Sequence, residues 1–312
     1  VSKAALTSIR VFLLSALVAF ALSHVQTHAE ATVVNALPVK PVTTAQTVSA
    51  NSVAINSTPS WTLPKECHPW GRFEAGSWRE IEITTETFDE QGKVFGRSIT
   101  TQKEILKSVA NDNYVIEVQA TVDVAGKRIA GPWNTRVLRL STDRPGNIFS
   151  SVQRKDELLP LNVGAVKCQV FEFQYAEESR NLSDRIYFSA EIFPHVFQRD
   201  TFERSDNAPT PSMPEDITTV VARAVPFEWE GKIIDCVTQQ VIRRREKGES
   251  QTLSVLSPEI PGGEIRSHST DFDTSGHRIR WSVQRLLAYG TTQTSGQSEA
   301  TVTSIPAANE KK

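Results

Sequence analysis

The residues of this 312-residue chain with the most reactive side chains are three cysteines, Cys67, Cys168 and Cys236. In an oxidising compartment three thiols allow three alternative single bridges and always leave one cysteine over. Cys168 with Cys236 is the pairing expected, because the two hold equivalent positions in an internal repeat described below. The strands between them weigh against it, since a bridge needs α-carbons within roughly 4.4–6.8 Å. None of the three stands in a setting that would activate a nucleophile. Of the six histidines, His68, His195, His268 and His277 form no pair at zinc-ligand spacing, so no metal and no cofactor is expected. His268 with Asp271 and Asp273 is the best local cluster and reads as a polar strand running into a hairpin. Glu191 and Glu259 recur in the repeat and would suit acid–base work if they converged. Each instead reads as the end of a strand before a proline. With no nucleophile elbow, phosphate loop or zinc-protease motif in the sequence, the chain is expected not to be an enzyme.

Two further groups could bind rather than react. Arg243-Arg244-Arg245-Glu246-Lys247 is a basic run at a hairpin tip, suited either to an anionic headgroup or polymer or to a solvated end that blunts edge pairing. The second of these readings is the expectation. His68-Pro69-Trp70-Gly71-Arg72-Phe73, followed by Trp78, concentrates aromatic mass before the first strand, where it would plug an open end of a sheet or form the rim of a binding site.

The elements that must position these residues are strands. Tyr114, Ile116, Val118, Ala120 and Val122 alternate with Glu117, Gln119, Thr121 and Asp123, a period of two that puts one set on each face of a strand. Phe171, Phe173 and Tyr175 repeat the pattern, as do Ile279, Trp281 and Val283. Turns such as Phe88-Asp89-Glu90-Gln91-Gly92 and Phe272-Asp273-Thr274-Ser275-Gly276 separate them. Ten to thirteen strands with short turns, and no long helical crossovers, predict an all-β fold: a long curled antiparallel meander, half-barrel or barrel-like. Residues 101–110 and 156–159 are the only helix candidates, both weak. Cys168 and Cys236 lie 68 residues apart, as do Ser189-Ala190-Glu191-Ile192 and Ser257-Pro258-Glu259-Ile260, so segments 166–205 and 234–273 read as an internal repeat.

Around this body, residues 1–31 have the basic end, short apolar stretch and small residues of a secretory signal. Residues 32–64 read as a disordered linker, 65–290 as the β domain and 291–312 as a disordered tail. The expected location is the periplasm or the extracellular space. A net charge of −2 argues against nucleic acid as a partner.

The aromatic lead-in, the Phe-Asp-x-x-Gly hairpins and Ser257-Pro258-Glu259-Ile260-Pro261-Gly262-Gly263 resemble an uncharacterised group of exported bacterial β proteins. More distantly, the strand pattern resembles the periplasmic lipoprotein-carrier superfamily, whose curled sheet holds acyl chains. That second resemblance implies a non-enzymatic binding protein for an apolar or amphipathic ligand, with lipid or lipoprotein as partner. Trp70, Phe73, Trp78, Phe171, Phe173, Tyr175 and Trp281 are the candidate binding residues. The alternative is an envelope structural or protein-interaction module with no small ligand.

Overall fold

The computed structural model describes residues 61–124, 127–144, 148–161, 164–177, 180–204, 213–292 and 303–304. The expected signal, nearly all of the linker and most of the tail lie outside these residues. A 3₁₀ turn at Lys65–Cys67 precedes β1 (Trp78–Phe88), β2 (Val94–Val109), β3 (Asn113–Val124), β4 (Lys127–Ala130) and β5 (Asn134–Arg139). Then come β6 (Ile148–Gln153), β7 (Glu157–Leu161), β8 (Gly164–Glu177), β9 (Arg180–Phe188), β10 (Val196–Arg204) and β11 (Asp216–Trp229). The last five are β12 (Lys232–Arg245), β13 (Gly248–Leu256), β14 (Glu264–Phe272), β15 (Arg278–Gly290) and β16 (Thr303–Ser304). The two helix candidates are strand: 101–109 belongs to β2 and 157–159 to β7. In β2, Thr100, Gln102, Glu104 and Leu106 are buried while the residues between them are not, so cross-strand packing decides a segment whose local preference is ambiguous.

The strands form an antiparallel sheet ordered β4-β3-β2-β1-β15-β14-β13-β12-β11-β10-β9-β8-β6, so β1 pairs with β15 and the path ends on β4 and β6 without closing. One core cluster shows how far it curls. Leu106 of β2 and Tyr114, Ile116 and Val118 of β3 pack with Phe171, Phe173 and Tyr175 of β8 and Leu182 and Ile186 of β9. Strands at opposite ends of the path share this cluster, so the face that carries those side chains is concave. Leu63, Cys67, Trp70 and Leu140 fill the space between them, and Trp61 stacks on Phe171 at 3.9 Å between ring centroids. Trp61 and Leu63 thus belong to the folded body, although they fall within the span expected as linker. Trp61 is held by Phe171, Phe173 and Phe188, its ring centroid 3.9, 5.7 and 5.3 Å from theirs.

Segments 166–205 and 234–273 share their local geometry at the 68-residue offset. Gln169 pairs with Phe188 on β8–β9, and Val237 pairs with Leu256 on β12–β13. Ser189 N–H donates to His195 O and Ser257 N–H to Gly263 O, each at 2.8 Å. A bulge follows in both, at the buried Phe197 and Ile265. The hairpins at Phe88 and Phe272 match as well. Asp89 Oδ1 accepts from Gln91 N–H and Lys93 N–H, and Asp273 Oδ1 accepts from Ser275 N–H and His277 N–H. Gly92 and Gly276 supply the positive φ of 76° and 82° that this turn requires.

The three cysteines are free thiols, each buried, which corrects the expected Cys168–Cys236 bridge. β8 and β12 are four strand steps apart in the sheet, about 19 Å at the usual strand spacing, and the two side chains sit in separate core clusters. Burial pushes both thiols up to about 11, so they are inert core residues.

Candidate functional site on the concave face

Partners directly opposite each other on neighbouring strands point to the same face, so the pairing registers trace what lines the concave side. One row runs Thr85 (β1), Ser282 (β15), Ser269 (β14), Thr252 (β13), Val241 (β12), Thr218 (β11), Arg199 (β10), Ile186 (β9) and Phe171 (β8). The next row, toward the hairpin tips, runs Thr87, Arg280, Asp271, Ser250, Arg243, Asp216, Thr201, Asp184 and Phe173 on the same strands. On the other side lie Gln284, Ser267, Ser254 and Gln239. The face therefore changes character along the sheet. It is aromatic and packed at β8–β9, and from β1 to β11 mainly hydroxyl, amide and charge, with Ile83, Val241 and Val220 as apolar members of the rows.

The polar stretch is hydrogen-bonded to itself in short pieces. Thr85 Oγ1 and Ser282 Oγ lie 3.1 Å apart, and Thr252 Oγ1 donates to Ser269 Oγ at 3.0 Å. Glu264 accepts from Ser254 and Ser267 at 3.1 and 2.8 Å and from Gln284 Nε2. Glu104, also buried, is held by Arg79 and Gln102, each at 2.6 Å.

Where the aromatic and polar parts meet, a network anchors the lead-in segment. His68 Nδ1 accepts the backbone N–H of Trp70 and Gly71 at 3.1 and 3.0 Å, so Nε2 carries the proton and donates it to Asp143 Oδ1 at 2.6 Å. Tyr114 Oη donates to the same oxygen at 3.1 Å, and Arg199 binds Thr142 O and Ser141 O at 2.8 Å each. Crowding by protein pushes the Asp143 carboxyl up, but His68, Arg199 and Tyr114 outweigh it and hold it below its ordinary value. The Asp143 side chain is nonetheless 47% exposed. A crowded yet accessible carboxylate lines a concavity and is not part of a packed core. With both imidazole nitrogens engaged, His68 is a clamp and not a free base. One strand further, Asp184, 0% exposed, accepts from Tyr175 Oη at 3.0 Å and Thr201 Oγ1 at 2.7 Å. Burial, then the Asp184 charge, pushes the Tyr175 phenol well up.

The seven aromatic residues expected to line a binding surface do not come together as one. Trp70, Phe171, Phe173 and Tyr175 are at most 5% exposed and Phe73 packs against them, all within the core cluster. Trp78 lies under the Lys103 ammonium at 4.6 Å, and Trp281 sits beside His268 on the convex face. Five of the seven thus fill the core with the inward aromatic surface that an acyl chain would need, and Trp78 and Trp281 lie apart from them. Alternation also separates His268 from Asp271, one on each face. Glu191 and Glu259 are exposed on different loops.

The basic run is split by the same alternation. Arg244 points outward to Glu249 at 3.3 Å, while Arg243 and Arg245 belong to the concave rows. Arg245 and Arg144 bind Asp216 at 2.8 Å each, and Arg180 and Arg245 bind Glu215 at 2.9 and 2.6 Å. Pairing holds the Asp216 carboxyl low despite its burial, through Arg245 first and then Arg144 and Arg243. Sequence reading names the run but not which of its arginines turn inward. Three consecutive arginines at a hairpin look uniform, and only the strand register assigns them to opposite faces.

Among the described residues no group of three or more His, Cys, Asp or Glu is placed to hold a metal ion, and no helix is long and apolar enough to cross a membrane. No family model matches the chain, and no curated protein matches it. Among solved structures, a Bacteroides fragilis protein described as exported, with a YmcC-like fold, is 10% identical, with 69% of this chain and 96% of that one covered at a TM-score of 0.26. The dehydratase domain from the CurK module of curacin polyketide synthase is 10% identical, with 70% and 78% covered at a TM-score of 0.12.

Proposed function

We propose that this chain is a non-enzymatic, exported binding protein that holds a polar, hydroxyl-bearing ligand against the concave face of its sheet. The row Thr85, Ser282, Ser269, Thr252 and Thr218 carries the reading: five hydroxyls facing inward on consecutive strands, interrupted by Val241 alone. An inward face built for acyl chains would be apolar, because desolvating unmatched hydroxyls costs about 1–3 kcal/mol each. A saccharide meets the same hydroxyls with donors and acceptors of its own. This replaces the apolar ligand of the carrier resemblance with a polar one and keeps the concave site. Export rests on the signal pattern of residues 1–31, and the absence of chemistry on the two engaged nitrogens of His68 and the separated carboxylates.

The test is native mass spectrometry and calorimetry of the purified chain with neutral oligosaccharides and with fatty acids. Binding of a saccharide that is lost in Thr252→Val plus Ser269→Ala supports the reading. Uptake of fatty acid with no saccharide binding refutes it. A second reading, an envelope interaction module, is favoured by the sheet ends: Ile129, Trp133 and Val137 near β4 and β5, and Val152 and Leu158 on β6 and β7, are exposed. Apolar groups on open strand edges suit pairing with another chain.

A further inference from the structure

The row nearest the hairpin tips contains a cation with no counter-charge of its own. Arg243 faces inward on β12 between Ser250 and Asp216. Both nearby carboxylates are already engaged. Asp216 is shared by Arg144 and Arg245, and Asp271 is held by Arg280. The Arg243 guanidinium makes no hydrogen bond or ion pair among the described residues, and the side chain is exposed to solvent. Around it, Asp216 is bound by Arg144 and Arg245, and Glu215 by Arg180 and Arg245. We infer that Arg243 is an anion-binding subsite of the concave face, and that the ligand carries an oxyanion, carboxylate or phosphate, on a hydroxylated frame. This rests on the polar-ligand reading above and names the class within it as an acidic saccharide.

The geometry is suited to that role. Arg offers a planar fork that matches carboxylate or phosphate oxygens in pairs. The Ser250 hydroxyl stands one strand away and the Thr252–Ser269 pair one row deeper, within reach of the ring hydroxyls of a sugar whose acid group sits on the fork. Protein crowding, with the Arg144 and Arg245 charges behind it, disfavours the Arg243 cation against the pull of Asp216 and Asp271. A bound anion would relieve that repulsion. Of the two readings the basic run offers in sequence, the anion contact is the one this geometry gives to Arg243.

The experiment is calorimetric titration of the full chain with trigalacturonate, its fully methyl-esterified neutral form, glucose 6-phosphate and inorganic phosphate. The variants are Arg243→Gln and, as control, the outward Arg244→Gln. Because Arg243 holds no protein partner, Arg243→Gln should melt at or slightly above the wild-type temperature. The expected result is that an acidic probe binds at least tenfold tighter than the neutral trisaccharide, that Arg243→Gln removes this preference, and that Arg244→Gln keeps it. The galacturonate and glucose 6-phosphate arms tell which oxyanion is preferred. Equal binding of acidic and neutral saccharide, or an acid preference that survives Arg243→Gln, overturns the inference and leaves the polar concave site standing. Phosphate binding that depends on Arg243 with no saccharide binding keeps the anion subsite and refutes the saccharide reading. Absence of binding by all four probes overturns both.

Discussion

Whether the aromatic half of the concave face is core or ligand surface can be decided by deleting one ring. Phe173 is 0% exposed, sits opposite Asp184 on β9, and has the Trp61 ring 5.7 Å away on its other side. Phe173→Ala removes a ring that is enclosed from the sheet and from the lead-in segment alike, so the void cannot be filled by solvent. Substitutions of this kind cost about 3–5 kcal/mol, the lost transfer energy plus the cavity. For a body of this size that corresponds to a melting point about 6–20 °C lower. With a urea slope of about 3 kcal/mol/M, the midpoint falls by roughly 1–1.7 M. Equilibrium urea unfolding followed by tryptophan fluorescence and far-UV circular dichroism measures this. Trp281→Ala, on the convex face, should cost less than half as much. If Phe173 instead lined an open ligand site, its removal would shift the midpoint by less than about 0.3 M while abolishing binding, and the filled-core reasoning would be wrong.

Two more expectations follow from the titratable groups. The Asp143, Asp216 and Glu172 carboxyls all sit below their ordinary values in the folded chain, burial being outweighed by His68 and Arg199, by Arg245 and Arg144, and by Arg154 and Arg185 respectively. The unfolded chain therefore takes up protons first. Stability contributed by these groups is complete above the unfolded value of about 4 and is lost as pH falls through the lower folded values. Thermal melts between pH 5 and 2 should show this decline, with a shallower slope in Asp143→Asn; an unchanged slope in that variant would remove the His68–Asp143 pair from the account. Cys168 and Cys236, pushed up to about 11 by burial, should resist iodoacetamide in the native protein at pH 8. After unfolding in urea without reductant, three labels are expected by intact mass, and a single label would mean that a disulfide had formed.

Much of the fold was legible because alternation needs no partner to be seen. Tyr114 to Val122, Phe171 to Tyr175 and the Phe-Asp-x-x-Gly turns mark strands and hairpins from local spacing alone. The short strands β4 to β7 were harder to see, since Lys127–Ala130 and Glu157–Leu161 are too brief for a period to emerge and are mostly exposed. The place of residues 61–64 was hidden for a different reason. Trp61 and Leu63 are isolated apolar residues in a polar stretch, and only the concavity left between β2–β3 and β8–β9 gives them somewhere to go.

The concave site was illegible for a reason that lies in the sheet's own geometry. Alternation says which residues share a face of one strand; it does not say which face of the whole sheet turns inward, or which rows meet across thirteen strands in sequence along the path. Ser267, Ser269, Thr252 and Ser254 taken singly are ordinary strand polar residues, and Arg243 is one of three in a row. Once β1 pairs with β15, the registers put those hydroxyls on one surface with the engaged carboxylates and the unpaired guanidinium at its outer end. The aromatic residues, conspicuous in the sequence, are drawn into the core because burying a large apolar ring is worth more than burying a hydroxyl. The surface proposed for a ligand is then the one made of side chains too small and polar to fill it, which is why it lies where the sequence is least conspicuous.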